Sequence, residues 1–467
     1  MFLIDVFVFY NIGVLKVSEN INVIKVRDDY EPIKFKSVED SEKFKVCDDQ
    51  KTSWTDGEFS TKDLRSRVEP WLTSLFQSEH LSLLIGSGLT HAVHYLAAER
   101  SAAGMSALNL SNYKDEINSK AKESASKAGR KEGNLEDQLR VANELLRGLE
   151  ILGNSKANEL RNELNEGMQS FSQSILNSEN GIATASDEKR EEAFNALVTF
   201  LMSFASRIGV RDRLNIFTTN YDRLIEAGAE IAGLHLLDRF LGNLMPIFRS
   251  SRLDLDMHYN PPGIRGEPRY LEGVARYTKL HGSVDWVQTD RDIRRIGLPF
   301  GATDITPFLE VPILSGATAN ELMIYPNAAK DRETAGYPYV ELFRDFASAI
   351  CRPNSVLVTY GYSFGDEHIN RVIRDMLTIP STHLVVISYD DPLERIMQTY
   401  KEIGRPSQIS LMIGSELADL TKLTQNYLPK AAIDKTTFRM SELLKQRMGA
   451  VQSEKEQINQ EDNNDLV

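Results

Sequence analysis

Four short runs set the rhythm of this chain. Residues 81–85, 214–217, 355–359 and 384–388 are rich in Leu, Ile, Val and Phe, with little polar alternation. Runs of that length suit strands buried on both faces, as in a parallel sheet. Further strands are expected before His281 and over 321–325. Between them the apolar positions fall at helical spacing, over 70–76, 89–100, 193–208, 340–349 and 367–377. Strands alternating with helices predict an α/β fold, a Rossmann-like parallel sheet with helices on both faces.

Three stretches break that rhythm. Residues 1–60 alternate short β-like runs with charged turns and read as an N-terminal appendage. Residues from about 105 to 190 are rich in Lys, Glu, Asn, Ser and Ala and contain no proline. There Leu139, Val141, Leu145, Leu146 and Leu149 recur at helical spacing. This predicts a helical insertion in the core, equally readable as a solvated hairpin without chemistry. Residues 242–275 carry Pro246, Pro261, Pro262 and Pro268 and form a long irregular connection, the kind that is often functional. A helix is expected over 437–445. Residues 451–467 are polar and acidic, a composition that predicts a disordered tail.

Composition narrows the partners. The 467 residues include 54 basic and 67 acidic side chains, a formal charge of −13. An acidic chain lacks the footprint that a phosphate backbone requires, so direct nucleic-acid binding is not expected. Small molecules and other proteins are the expected partners. Two cysteines, Cys47 and Cys351, cannot supply a four-thiolate zinc site or a disulfide framework. They read as reduced thiols of a cytoplasmic protein. The apolar opening, residues 1–10, lacks a basic flank and is shorter than the ~20 residues of a spanning helix, so it reads as a strand or an oligomer contact.

The candidate chemistry sits where the apolar runs end. Ile85-Gly86-Ser87-Gly88 is a strand feeding a glycine turn and a helix, the arrangement that presents backbone N–H groups to a phosphate. Gly86 and Gly88 remove Cβ atoms from the approach, and Ser87 and Thr90 offer hydroxyls. Two glycines in such a turn also occur for packing alone. Thr218-Thr219-Asn220-Tyr221-Asp222 follows the second run; Asn220 and Asp222 there are turn formers or ligands in equal measure. Lys279-Leu280-His281-Gly282-Ser283 places His281 at a strand mouth. An imidazole titrating near neutrality suits a general base, although a lone histidine is commonly structural. Among the other histidines only His368 has a comparable setting. Gly361-Tyr362-Ser363-Phe364 is again a strand, a small-residue turn and a helix start, with Asp366 placed to N-cap that helix.

Together these four pieces resemble the sirtuin-like family in its bacterial form. There the turn is Gly-x-Gly, the loop Thr-x-Asn-Tyr-Asp, and the later elements His-Gly and Gly-(Tyr/Phe)-Ser-Phe-x-Asp. Order and type match residues 86–88, 218–222, 281–282 and 361–366. The resemblance spans about 80–390 and implies a catalytic, NAD-binding domain over 61–450 interrupted by the insertion. It assigns the family's catalytic Asn and His roles to Asn220 and His281. It implies dinucleotide contacts from Gly86, Ser87, Gly88, Thr219, Asp222, Gly361 and Ser363, with Ser388 reaching toward the adenosine ribose. NAD would be the substrate, and no metal is called for.

Two departures redirect the resemblance. Protein-deacylating sirtuins carry a zinc module of four cysteines, and they carry a Gly-Ile-Pro-Asp-Phe-Arg stretch where this chain reads Leu89-Thr90-His91-Ala92-Val93-His94. Both absences turn the expectation from deacylation to outright hydrolysis of NAD, as in anti-phage defence by NAD depletion. The alternatives are a non-catalytic NAD or ADP-ribose sensor, or a deacylase. About a hundred residues follow Gly361, enough to finish the sheet but not for a fused sensing domain. The resemblance therefore implies a separate partner, a HerA-type hexameric ATPase first, and a homo-oligomer whose assembly surfaces are the appendage and the insertion.

Overall fold

The computed structural model describes residues 21–38, 41–47, 57–102, 107–127, 135–206, 212–250, 256–259, 269–289, 292–309 and 337–430, with positions 50, 52, 54, 55, 133 and 314. The expectations for residues 1–10, 321–325, 437–445 and 451–467 lie outside the described residues.

The main sheet has eleven strands, β1 (Ile21–Lys25), β2 (Ile33–Ser37), β3 (Lys43–Val46), β4 (Glu58–Ser60), β5 (His80–Ile85), β6 (Asn215–Thr218), β7 (His235–Leu237), β8 (Val274–Lys279), β9 (Ser355–Tyr360), β10 (His383–Ser388) and β11 (Ile409–Ile413), in the order β4-β3-β2-β1-β11-β10-β9-β5-β6-β8-β7. From β11 to β7 every pairing is parallel. β1 pairs antiparallel with β11, and β2, β3 and β4 continue antiparallel, so the segment read as an appendage extends the sheet. Phe35, Phe44 and Phe59 cluster there, 5.3–5.7 Å between ring centroids, with Phe35 edge-on to the other two.

Period-2 alternation places two apolar layers on the sheet. Leu83, Ile85, Val358, Tyr360 and Ile387 point to one face. They pack against α1 (Thr61–Phe76), α2 (Ser87–Ala98), α6 (Asp187–Ala205) and α7 (Leu224–Ala232) through Leu64, Leu72, Val93, Phe200, Phe204 and Ile225. Leu84, Leu357, Leu384 and Val386 point to the other face. They meet α8 (Tyr339–Ile350), α9 (Glu367–Leu377) and α10 (Arg395–Ile403) through Leu342, Phe346, Ile369, Ile373 and Ile396. The expected α/β sheet covered on both faces is the observed one.

Between α2 and α6 the chain leaves the sheet as α3 (Lys114–Lys127), α4 (Leu135–Ile151) and the 28-residue α5 (Lys156–Ala183). At 1.5 Å per residue α5 is about 42 Å long. Leu139, Leu149, Leu160 and Leu164 form a core of their own, and Tyr221 joins it from the sheet. No helix among the described residues is long and apolar enough to cross a membrane.

Candidate active site

The parallel strands end level with one another. Ile85 lies opposite Thr218 and Tyr360, Thr218 opposite Lys279, and Tyr360 opposite Ile387. All four sequence motifs therefore emerge at one edge of the sheet, from the carboxyl ends of β5, β6, β8 and β9. Strand order reverses between β5 and β9, with β6 to one side and β10 to the other. In open α/β sheets that switch point opens a crevice, and ligands bind there.

The glycines bring the turns after β5 and β9 into direct backbone contact. Gly86 N–H donates to Tyr360 O at 3.0 Å and Gly88 N–H to Gly361 O at 3.1 Å. A Cβ on Gly86 would stand 2.4 Å from Gly361 O, and one on Gly88 2.5 Å from Gly361 Cα. Gly361 itself has φ +61°, a conformation that costs other residues strain. The two turns interlock backbone against backbone. Above that contact Ser87 and Ser363 are exposed, and Ser87 opens α2, where a backbone N–H has no acceptor within its own helix. The loop after Gly361 is pinned from beneath by Tyr362, whose hydroxyl donates to Asn370 Oδ1 at 3.0 Å, while Asn370 Nδ2 donates to Phe364 O at 2.9 Å. Burial pushes the Tyr362 phenol well above its usual range, so it stays protonated as a donor.

Asn220 is buried and its amide is oriented by chemistry. Its Nδ2 donates to Gly86 O at 3.0 Å and to Thr90 Oγ1 at 3.0 Å. A backbone carbonyl only accepts, and Thr90 gives its own proton to Asp222 Oδ2 at 2.6 Å. The NH2 must therefore face both, which leaves Oδ1 turned the other way. Thr218 Oγ1 holds the Asn220 backbone N–H at 3.0 Å. Thr219, half-buried, bonds Ile85 O through its N–H at 3.2 Å. Asp222 also caps the approach to α7, accepting from Leu224 N–H at 3.1 Å. Lys279, buried at the end of β8, donates to the Asp222 carbonyl and to Glu226 Oε1.

His281 is 1% exposed, on the turn after β8. Its loop is tied to the Asn220 loop, since Ser283 Oγ and Val284 N–H both donate to Tyr221 O, at 3.2 and 3.0 Å. Tyr221 lies 6.3 Å from the His281 ring and Phe343 6.5 Å from it. His368 of α9 meets it directly, Nε2 to Nε2 at 3.2 Å.

The sequence motifs omit one part of this framework. Arg223, next to Asp222, is buried against Glu179 of the insertion, which accepts from the Arg223 backbone N–H at 2.7 Å and from its guanidinium. Leu298 O and Pro299 O take two further guanidinium donors. Burial raises the Glu179 carboxyl above its usual range, and the Arg223 charge opposes that shift. Phe171 of the same helix packs edge-on against Tyr221 at 5.6 Å. The insertion therefore braces the Asn220 loop from outside the sheet.

Two sequence candidates are otherwise engaged. Ser388 Oγ is buried and donates to Asp390 O at 2.8 Å. Asp366 occupies the N-cap position of α9, but its side chain bonds no helix amide there. Among the described residues no group of three or more His, Cys, Asp or Glu side chains gathers as a metal site.

Residues 214–404 match the SIR2-like domain, which supports a sirtuin-like family and an NAD-related function. The matched segment contains Asn220, His281, Gly361 and His368 and begins after the insertion. No curated protein matches the chain.

Proposed function

We propose that this chain is a regulated NAD glycohydrolase, cleaving NAD to nicotinamide and ADP-ribose. One observation carries the reading. Asn220, with its amide oriented, and buried His281 stand at the carboxyl ends of the adjacent strands β6 and β8, beside the switch-point crevice. The pyrophosphate would lie over the Ser87 end of α2 and the Ser363 turn, favoured by the helix dipole. Thr219 and Asp222 line the same edge.

The chemistry follows from that placement. Nicotinamide departs as the ribose gains oxocarbenium character, in a site where fixed dipoles replace bulk water. Asn220 Oδ1 accepts a hydrogen bond from the incoming water and aligns it on the vacated face. His281 takes the proton of a ribose hydroxyl and returns it as the ring oxygen's charge collapses. The water's oxygen bonds to C1′ and its surplus proton leaves with the solvent, so NAD and water yield nicotinamide, ADP-ribose and a proton.

The two cysteines of the chain oppose the deacylase alternative, because four thiolates are needed for its zinc module. Uncontrolled NAD hydrolysis would be self-destructive. The reading therefore includes a silent state released during phage infection in the cytoplasm, with a homo-oligomer and a HerA-type ATPase as the assembly. The test incubates purified protein with NAD, alone and with that partner, and follows nicotinamide. Release by the wild type that Asn220→Ala lacks supports the hydrolase. Binding without turnover under every condition supports the sensor instead, and release that requires an acetylated peptide supports the deacylase.

A further inference from the structure

His281 and His368 lie 87 residues apart in sequence, yet their Nε2 atoms meet at 3.2 Å. Both rings are buried, 1% and 7% exposed. At that distance the two nitrogens cannot both present lone pairs, nor both present N–H; one proton lies between them. The rings are held in place. Phe343 packs edge-on against His368 at 4.8 Å, and the two imidazoles stand 5.4 Å apart, tilted by 35°. His368 is the second residue of α9, which fixes its ring at the start of that helix.

We propose that His368 is the positioning residue of His281. Neutral His368 accepts the His281 Nε2–H, which fixes one tautomer and leaves Nδ1 as the nitrogen that takes a proton. When His281 removes the proton of the ribose hydroxyl at Nδ1, its Nε2–H stays in the bond to His368, now charge-assisted and stronger. No proton passes to His368, and no further reactant is needed. The role is that of the acceptor behind a general base, filled by a neutral ring in place of a carboxylate. It rests on the hydrolase reading for the role of His281 as a base and for the substrate hydroxyl, whereas the tautomer of the pair is judged by itself.

The test pairs kinetics with ¹⁵N imidazole spectra of the full chain, using His368→Ala and His368→Gln, whose Oε1 can accept the same proton. The expected result is a kcat about 10–100-fold lower in H368A with KM unchanged, and recovery to within a few-fold in H368Q. The spectra should show His281 protonated on Nε2 in the wild type and H368Q, and a mixture of tautomers in H368A. A wild-type kcat in H368A with unaltered His281 resonances overturns the proposal. So does Nδ1 protonation of His281 in the wild type. The spacing also suits two ligands of one tetrahedral zinc with ~2.0–2.1 Å bonds, so stoichiometric zinc removed by a chelator would overturn it too. The spectra need no turnover. A wild type that leaves NAD intact therefore removes the hydrolase reading while the pair is still judged, and a dead H281A beside a normal H368A removes only the pair.

Discussion

Two pairs of strand-end turns meet at this edge of the sheet, and they are built by different means. The turns after β5 and β9 lock through main-chain atoms, with Gly86, Gly88 and Gly361 in contact at distances that admit no Cβ. The turns after β6 and β8 meet through Ser283 Oγ and Val284 N–H on Tyr221 O and through Lys279 on the Asp222 carbonyl, and side chains tie them onward to α2 and α9, Asn220 to Thr90 to Asp222 and His281 to His368. The first pair is a rigid floor whose specificity is steric. The second is a polar network whose atoms have defined donor and acceptor directions, which is what catalysis of proton and water positioning requires. The difference separates where a dinucleotide would rest from what would cut it.

Substitutions should divide along that line. The largest expected effect is chemical: Asn220→Ala and His281→Ala should each lower nicotinamide release ~10²–10⁴-fold. Thermal unfolding should show both variants folded. Next comes the brace from the insertion. Glu179→Ala leaves the buried Arg223 charge unpaired and should cost about 3–5 kcal/mol in urea unfolding, with Arg223→Met in the same chain restoring part of the loss. On the glycine side, Gly361→Ala should cost about 2–3 kcal/mol from overpacking and the left-handed backbone, read by the same titration.

The smallest effect lies at the opposite end of the sheet, where His383 begins β10. Its ring meets Ser410 Oγ at 2.8 Å and Trp71 edge-on at 5.6 Å. Burial, with Lys25 adding to it, pushes its pKa down from 6.5 to about 4. The unfolded chain therefore binds the proton more readily between those values. Stability should be fully present above pH 6.5 and fall by about 2 kcal/mol as pH drops to 5. His383→Gln should flatten that slope.

Much of the sheet is legible in sequence because β5, β6, β9 and β10 are buried on both faces and so read as continuous apolar runs. β7 is three partly exposed residues at the sheet edge and does not stand out by hydropathy, while β8, although it carries Arg276 and Lys279, is legible as the strand before His281. The motif residues are legible as types at strand ends, but their partners are not. Glu179 and Arg223 lie 44 residues apart on either side of the crossover back to the sheet. Nothing local marks them as a pair. His368 shares the strand–turn–helix setting of the other motifs, but only the fold brings α9 against the β8 turn. The glycines show the reverse case. Their spacing suggests a phosphate cradle, while the structure adds a steric duty between two turns that spacing alone does not reveal.

The central claim is that the Asn220–His281 side of the crevice directs water to the ribose carbon of NAD. The most direct test is hydrolysis in H₂¹⁸O with the activating partner present, followed by mass analysis of the products. The account predicts one ¹⁸O in the ADP-ribose, an equal amount of nicotinamide, and loss of both products in Asn220→Ala. NAD bound but unconsumed by the wild type, or equal product from Asn220→Ala, would contradict it.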